Sequence, residues 1–253
     1  MRKIKWILVV VSALWMAGCK PDEVIEVLPS ATGAKVVFDL RYNDQPFAVG
    51  DIYYDNFGHR IRIDNFMSYI SMMKLVKDDD TEVLLNDFYL ANFSHANSLS
   101  FELPAGHFKA LSFGIGVPHD FNKDQDPTVY PNNHPLSVPG SEGMFWGWNS
   151  GYIFVKFEGK ADTLGIEGEP LIHPFAFHIG DDPFYRTHTA EGLNITIEEG
   201  KISTIRIIIA VDKILFGDND QIDLATDYLT HTSDNIELAT KFVDNFDASI
   251  SVE

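Results

Sequence analysis

Apolar and polar residues alternate along most of the chain in short runs that turn-forming residues separate. The runs cover residues 34–42, 60–77, 82–93, 98–104, 107–117, 151–159, 171–180, 193–199 and 202–211. Alternation with a period of two is typical of strands with one buried face. Glu199-Gly200, between the last two runs, predicts a tight hairpin. The pattern predicts an all-β protein, an antiparallel β-sandwich of immunoglobulin-like or related type with long loops.

One segment near the carboxyl end, residues 233–246, has a helical period instead. Its apolar residues fall on one face of a helix: Ile236, Ala239, Phe242, Val243 and Phe246. Ser233 or Asp234 is the predicted N-cap, because a short oxygen-bearing side chain accepts a backbone N–H bond there. The sequence therefore predicts one short C-terminal α-helix packed on a sheet.

Residues 118–150 break the strand pattern because proline and glycine recur throughout them. Loops of this length in a compact domain are usually functional or disordered. This loop contains His119, His134, Trp146 and Trp148, which favours function. Trp146 and Trp148 are also the only tryptophans outside the first 18 residues.

The amino-terminal residues have the features of an export signal. Residues 1–18 combine a basic start with an apolar stretch too short to span a membrane, which predicts a cleaved signal peptide. Small residues before Cys19 predict a lipoprotein anchored through that cysteine, with residues 19–33 as a tether and residues 34–253 as a single domain. Residues 20–23 resemble the export signal of Bacteroidetes surface lipoproteins. We therefore expect an outer-membrane lipoprotein at the periplasmic face or the cell surface.

Charge and cysteine content narrow the possible partners. A net charge of −18 disfavours nucleic acid as a ligand. Cys19 is the only cysteine, so neither a disulfide nor a cysteine-ligated zinc site forms within one chain. A bound metal would need histidine, carboxylate, carbonyl, methionine or a modified side chain as ligands.

Four segments together resemble one family. GMFWGWNSGYIFVKFEG (143–159) resembles the signature of the methanobactin-associated MbnP-like copper-binding proteins. Residues 60–75, 106–127 and 175–180 agree with the family in order and rough spacing. The resemblance implies a secreted β-rich protein that binds copper through histidines and a tryptophan oxidised to kynurenine. It also implies a di-haem peroxidase-type partner that performs the oxidation, and calcium in some members.

The chain departs from the family in two segments. Methanotroph members tend to carry a histidine directly after the asparagine that corresponds to Asn122, whereas this chain has Lys123. They also tend to carry a cysteine shortly after the His-x-Gly motif, whereas Asp181-Asp182-Pro183 follows Gly180 here. Each departure removes a potential metal ligand.

Imidazole nitrogen suits copper, nickel and zinc, and copper has the highest affinity among the divalent first-row transition metals. His178 and His107 lie in segments that match the family, so they are the first candidate ligands. Further candidates are His119, His134 and His59. Either Trp146 or Trp148 could be the modified residue, and the alternative is a packed aromatic pair.

The spacing of Asn122, Asp124 and Asp126 resembles the start of a calcium loop. The glycine and the distal glutamate of such a loop are missing, so a plain turn is the alternative. Calcium is therefore a possible second cofactor, with a structural role in the long loop.

The predicted function is capture or handling of copper or a related metal outside the cytoplasm. The alternative is a surface lipoprotein that binds a glycan or protein partner through an aromatic platform, with calcium as a structural ion. That platform would consist of Trp146, Trp148, Tyr152 and Tyr130. Because the sequence has none of the common catalytic motifs, we expect no enzymatic activity; a hydrolase of unknown type is a third alternative.

Overall fold

The computed structural model describes residues 31–147, 150–163, 170–217 and 220–253. The predicted signal peptide, Cys19, Trp148 and most of the tether lie outside these ranges. The strands in the described ranges are β1 (Gly33–Tyr42), β2 (Gln45–Pro46), β3 (Ile52–Tyr54), β4 (Arg60–Lys77), β5 (Glu82–Asn92), β6 (Ser98–Glu102), β7 (Gly106–Ile115), β8 (Phe145–Gly147), β9 (Gly151–Asp162), β10 (His173–Gly180), β11 (Arg186–Ala190), β12 (Ile195–Ile197), β13 (Ile202–Ala210), β14 (Leu229–Thr230) and β15 (Ile250–Val252). The α-helices are α1 (His119–Asn122), α2 (Val211–Leu215) and α3 (Ile236–Ala248).

The strands form two sheets, which confirms the predicted all-β fold. The first sheet has the order β15-β13-β1-β2, and β6 also pairs with β1. The second has the order β11-β7-β4-β9-β10-β14, with β12 on β7, β3 and β5 on β4, and β8 on β9. Most neighbours are antiparallel, but β1 and β13 run parallel, as do β10 and β14.

The predicted hairpin at Glu199-Gly200 is wrong. β12 pairs with β7 in the second sheet, whereas β13 pairs with β1 in the first. The turn between them is closed by a 3.1 Å bond from Lys201 N–H to the Glu198 carbonyl, with Gly200 at φ +71°. The turn therefore takes the chain from one sheet to the other. The hairpin prediction failed because local alternation does not specify a strand's partner.

The predicted C-terminal helix is present and packs on the second sheet. Phe242 stacks on Phe177 of β10 with ring centroids 4.8 Å apart, and Phe246 contacts Phe66 of β4 at 5.6 Å. Its N-cap is Asn235, which accepts the Leu238 N–H, and not Ser233 or Asp234 as predicted. The Asp234 carboxylate instead accepts the His231 N–H at 2.7 Å and thereby shapes the turn before the helix.

The described part of the long loop, residues 118–147 and 150, covers part of the opposite face of the second sheet, which we call the outer face. Tyr69 and Tyr152 point from that face and donate their hydroxyls to the carbonyls of Pro135 and Leu136, at 2.8 and 2.5 Å. Leu136 and Met144, which belong to the loop, are fully buried. The loop is therefore a packed layer, and the exposed remainder of the outer face begins where the loop ends.

Among the described residues, no helix combines the length and apolar character that crossing a bilayer requires.

Candidate functional site

His178 lies on β10 at the exposed part of the outer face. Phe177 beside it points to the core, so strand alternation directs His178 the other way. Its Nε2 lies 2.6 Å from Oε1 of Glu158 on the neighbouring strand β9. The other oxygen of Glu158 accepts the Asn65 side-chain amide at 3.0 Å. The imidazole is thus held in a fixed orientation with its side chain only 16% exposed.

Burial lowers the pKa of His178, and the neighbouring Glu158 opposes this shift without cancelling it. Burial acts to raise the pKa of Glu158, but hydrogen bonds from His178 and Asn65 outweigh it and leave that pKa below its usual value. His178 is therefore a neutral imidazole at neutral pH. If Nε2–H donates to Glu158, the lone pair is on Nδ1.

His231 lies next to His178, with ring centroids 4.9 Å apart and an interplanar angle of 82°. Its Nδ1 is 3.3 Å from Oδ2 of Asp234. Each imidazole therefore has one nitrogen on a carboxylate. Within the described residues, Nδ1 of His178 and Nε2 of His231 make no hydrogen bond. A carboxylate on the far nitrogen is typical of metal-ligating histidines, because it fixes the tautomer and raises ligand basicity.

Trp146, on β8, packs against Gly180 at the end of β10. A Cβ atom at position 180 would lie 2.8 Å from Cζ3 of Trp146 and 2.6 Å from the Tyr152 carbonyl oxygen. The absence of a side chain at Gly180 therefore allows the indole to approach this closely. Trp146 remains 37% exposed.

The exposed part of Trp146 lines a cleft of about 320 Å³. The other residues around this cleft are Lys123, Ser150, Asp181, His231, Thr232 and Ser233. Thr232 connects two walls, because its hydroxyl accepts the Gly180 N–H and donates to the His178 carbonyl, each at 2.9 Å. We call this feature the Trp146 cleft; it adjoins the histidine pair through His231.

Lys123 and Asp181 form an ion pair at the mouth of the Trp146 cleft, with Nζ 2.6 Å from Oδ1. Asp181 raises the pKa of Lys123. Asp182 receives the Asn122 amide at 2.8 Å and lies 2.5 Å from Nδ1 of His119, whose pKa it raises. Helix α1 is thus attached to the end of β10 by polar contacts.

The remaining predicted ligands lie at separate places. His107 is exposed on β7 beside the Thr196 hydroxyl, at 3.1 Å. His59 contacts the buried Asp55 at 2.9 Å. His134 stacks on Tyr130 with ring centroids 4.4 Å apart. In the ranges that the structure describes, no three or more His, Cys, Asp or Glu side chains are arranged to hold a metal.

The three predicted calcium ligands have separate roles. Asn122 is 2% exposed, and its side-chain oxygen accepts the Tyr152 N–H at 2.9 Å. Asp126 caps the short helical turn Pro127–Val129 by accepting the Thr128 N–H at 2.8 Å. Asp124 lies between them in a left-handed conformation, with φ 58°. The Asn122 side chain itself holds the loop against β9.

The aromatic platform predicted as the alternative does not form as a surface. Tyr152 is 1% exposed, with its hydroxyl bound to Leu136. Tyr130 stacks on His134 instead of lining the Trp146 cleft. Trp146 is the described member of that set that faces the cleft, and Trp148 lies outside the described residues.

Sequence reasoning missed His231, Glu158 and Asp234 as parts of the site. Glu158 is one of several residues in the alternating run 151–159, and nothing in that pattern distinguishes it. His231 lies far from His178 in the chain. The available local signal was that His231 directly precedes Thr232-Ser233-Asp234, residue types that form turns before helices.

Comparison with known proteins identifies one family. The family model described as MbnP matches residues 32–236. Among solved structures, the chain is similar to MbnP from Methylosinus trichosporium, with a TM-score of 0.53 and 14% sequence identity. That match covers 76% of this chain and 79% of the other, and at this identity it shows a shared fold. A search of curated proteins gave no match.

Proposed function

The chain belongs to the MbnP family, and we propose that it binds a transition metal, copper by the family resemblance, through His178 and His231. Its role is capture or handling of the metal outside the cytoplasm, without turnover of a substrate. Copper supplies a cation that imidazole nitrogen binds strongly.

The observation that carries this proposal is the pair of adjacent imidazoles, each oriented by a carboxylate. Glu158 orients His178, and Asp234 lies 3.3 Å from the half-exposed His231. Each ring keeps one nitrogen without a hydrogen bond in the described structure. Two imidazoles fill only part of a metal's coordination sphere, and further donors can occupy the remaining positions. The excess of acidic residues over the whole chain also favours a cation.

Trp146 is a candidate for the modified residue that the family resemblance implies. It lines the same cleft as His231, and its exposure gives a partner of the di-haem peroxidase type access to it. Kynurenine would replace an indole N–H, which only donates, with an aromatic amine and a carbonyl. Anchoring through a lipid on Cys19, and hence a location at the outer membrane, is part of the same proposal.

Copper titration of three histidine variants tests the proposed ligands. His178→Ala and His231→Ala should each weaken copper binding at least tenfold, about 1.4 kcal/mol. His107→Ala is the matched control, because His107 is an exposed histidine on another part of the same sheet. Wild-type affinity in both His178→Ala and His231→Ala would refute the site.

Peptide mass analysis of protein expressed in its native host tests the modification. We expect the peptide that contains Trp146 to have the mass of a kynurenine-containing peptide. An unmodified Trp146 in copper-loaded native protein would remove the modification from the proposal and leave the histidine pair.

A further inference from the structure

The Trp146 cleft of the protein with an unmodified Trp146 has the composition of a site for a neutral ligand, and this inference does not depend on the metal proposal. One wall is the exposed part of the Trp146 indole, held in place by Gly180. A rigid indole offers a flat apolar surface at a low cost in conformational entropy. The other walls are polar and consist of residues 123, 150, 181 and 231–233.

Several polar groups around the cleft are available to a ligand. The hydroxyls of Ser150 and Ser233 make no hydrogen bonds within the described residues. Oδ1 of Asp181 lies 2.6 Å from Lys123 Nζ and accepts the Asp182 N–H at 2.7 Å. Oδ2 of Asp181 has no partner in the described structure. The cleft thus presents donors and an acceptor next to an apolar face.

Charge selects against ionic ligands. Lys123 is surrounded by Asp181, Asp182 and Asp124, all of which raise its pKa. This excess of carboxylates repels an anion. A small organic cation would have to displace the Lys123 ammonium from Asp181, since that ammonium already occupies the carboxylate.

We propose that the Trp146 cleft binds a neutral polyhydroxylated ligand the size of one sugar unit, free or at the end of a glycan. Such a ligand places its C–H face on the indole and its hydroxyls on Ser150, Ser233 and Asp181. A volume of about 320 Å³ is at the small end of ligand sites, which fits one sugar unit and not an oligosaccharide. A contact of this size predicts a dissociation constant on the order of 1 mM.

Ligand-observed NMR on the folded, metal-free protein tests the proposal, with galactose, mannose and N-acetylglucosamine as free sugars. The corresponding methyl glycosides represent a glycan end, because their anomeric carbon is blocked. At least one probe should bind, and Trp146→Ala should weaken it roughly tenfold. Trp146→Phe, which keeps an aromatic face, should retain part of the affinity. Tyr54→Ala removes an exposed aromatic elsewhere and should bind as wild type does.

Acetate and choline serve as charged probes, and both should bind more weakly than the best sugar. Sugar binding is measured on metal-free protein and copper binding without sugar, so failure of the metal proposal and failure of this one are distinguishable. The proposal is overturned if no sugar binds, if binding survives Trp146→Ala unchanged, or if a charged probe binds more tightly than every sugar.

Discussion

The ammonium group of Lys123 lies 2.6 Å from Oδ1 of Asp181, so the two segments in which this chain departs from the methanotroph members contact each other. The resemblance described above implies histidine and cysteine in these segments of methanotroph members, and both residue types are metal ligands. Here Lys123 and Asp181 form an ion pair, and neither residue supplies an imidazole or a thiol to the neighbouring cleft. The metal-binding role that we propose for this chain therefore rests on His178 and His231.

The substitution Lys123→His should add an imidazole to the wall of the cleft that His231 also lines. We expect copper affinity to rise about tenfold, or 1.4 kcal/mol, measured by competition with a chelator of known affinity. Lys123→Met is the control, since it removes the charge without adding a ligand. Both residues of the ion pair are partly exposed, so its loss should cost less than about 1 kcal/mol of stability. Equal affinity in the two variants would contradict the prediction.

Glu158→Gln should weaken copper binding about 10- to 100-fold while leaving the fold intact. The amide removes the negative charge that orients and polarises His178 through its Nε2. The measurement is copper affinity together with the thermal midpoint of unfolding. Glu198→Gln, which changes an exposed carboxylate paired with Lys201, is the control. An unchanged copper affinity in Glu158→Gln would show that this carboxylate does not support a ligand.

Gly180→Ala should destabilise the protein by about 1–3 kcal/mol, because the added Cβ overlaps Trp146 and the Tyr152 carbonyl. Displacement of the indole should also shift the tryptophan fluorescence spectrum. Gly106→Ala is the matched control, because nothing lies within 4 Å of a Cβ at that position. Unchanged stability and fluorescence in Gly180→Ala would mean that the indole is not seated as described.

Asn122→Ala should cost about 1–3 kcal/mol, since it leaves the buried Tyr152 N–H without an acceptor. Amide exchange at Tyr152 should become faster, which hydrogen-exchange NMR measures. Asp124→Asn keeps a residue suited to positive φ and should change neither quantity. We also expect calcium to leave the thermal midpoint of the wild type unchanged, because the Asn122 oxygen is already engaged. A calcium-dependent rise that Asp124→Asn abolishes would restore the calcium prediction.

The histidines of the long loop should titrate in opposite directions from the usual value of about 6.5. Burial lowers the pKa of His134, whose Nδ1 accepts the Leu136 N–H. Asp182 raises the pKa of His119. Histidine NMR titration measures both.

The sign of each contribution to stability follows from these shifts. His134 contributes stability that is present above its unfolded pKa and is lost as the pH falls through its folded pKa. His119 contributes stability that is present below its unfolded pKa and is lost as the pH rises through its folded pKa. A His134 pKa above that of His119 would contradict the described environments.

The sequence predicted the individual strands well, because a period of two is a local property of one buried face. The runs at 34–42, 60–77 and 151–159 became β1, β4 and β9. Strand partners were not predictable in this way, and the turn at Glu199-Gly200 shows why. The residues of β12 and β13 alternate equally well, and the core of each sheet decides where each strand pairs.

Part of the candidate site was predictable for a different reason. His178 and Trp146 lie in segments that match the family, and the structure brings both to the region of Gly180. His231 reaches His178 only because β14 adds to the edge of β10, a long-range contact that no local spacing encodes. The Lys123–Asp181 pair likewise depends on how α1 attaches to the end of β10.

The parallel pairing of β1 with β13 has a consequence for how the protein matures. Gly33 lies opposite Ile202, so the first sheet cannot close until the final fifth of the polypeptide has been synthesised. Contacts this distant along a chain form slowly. A nascent molecule that is threaded through a secretory channel amino end first would still lack the closed first sheet during passage. If the chain is exported in this way, the first sheet can close only after residues 202–210 have also crossed the membrane.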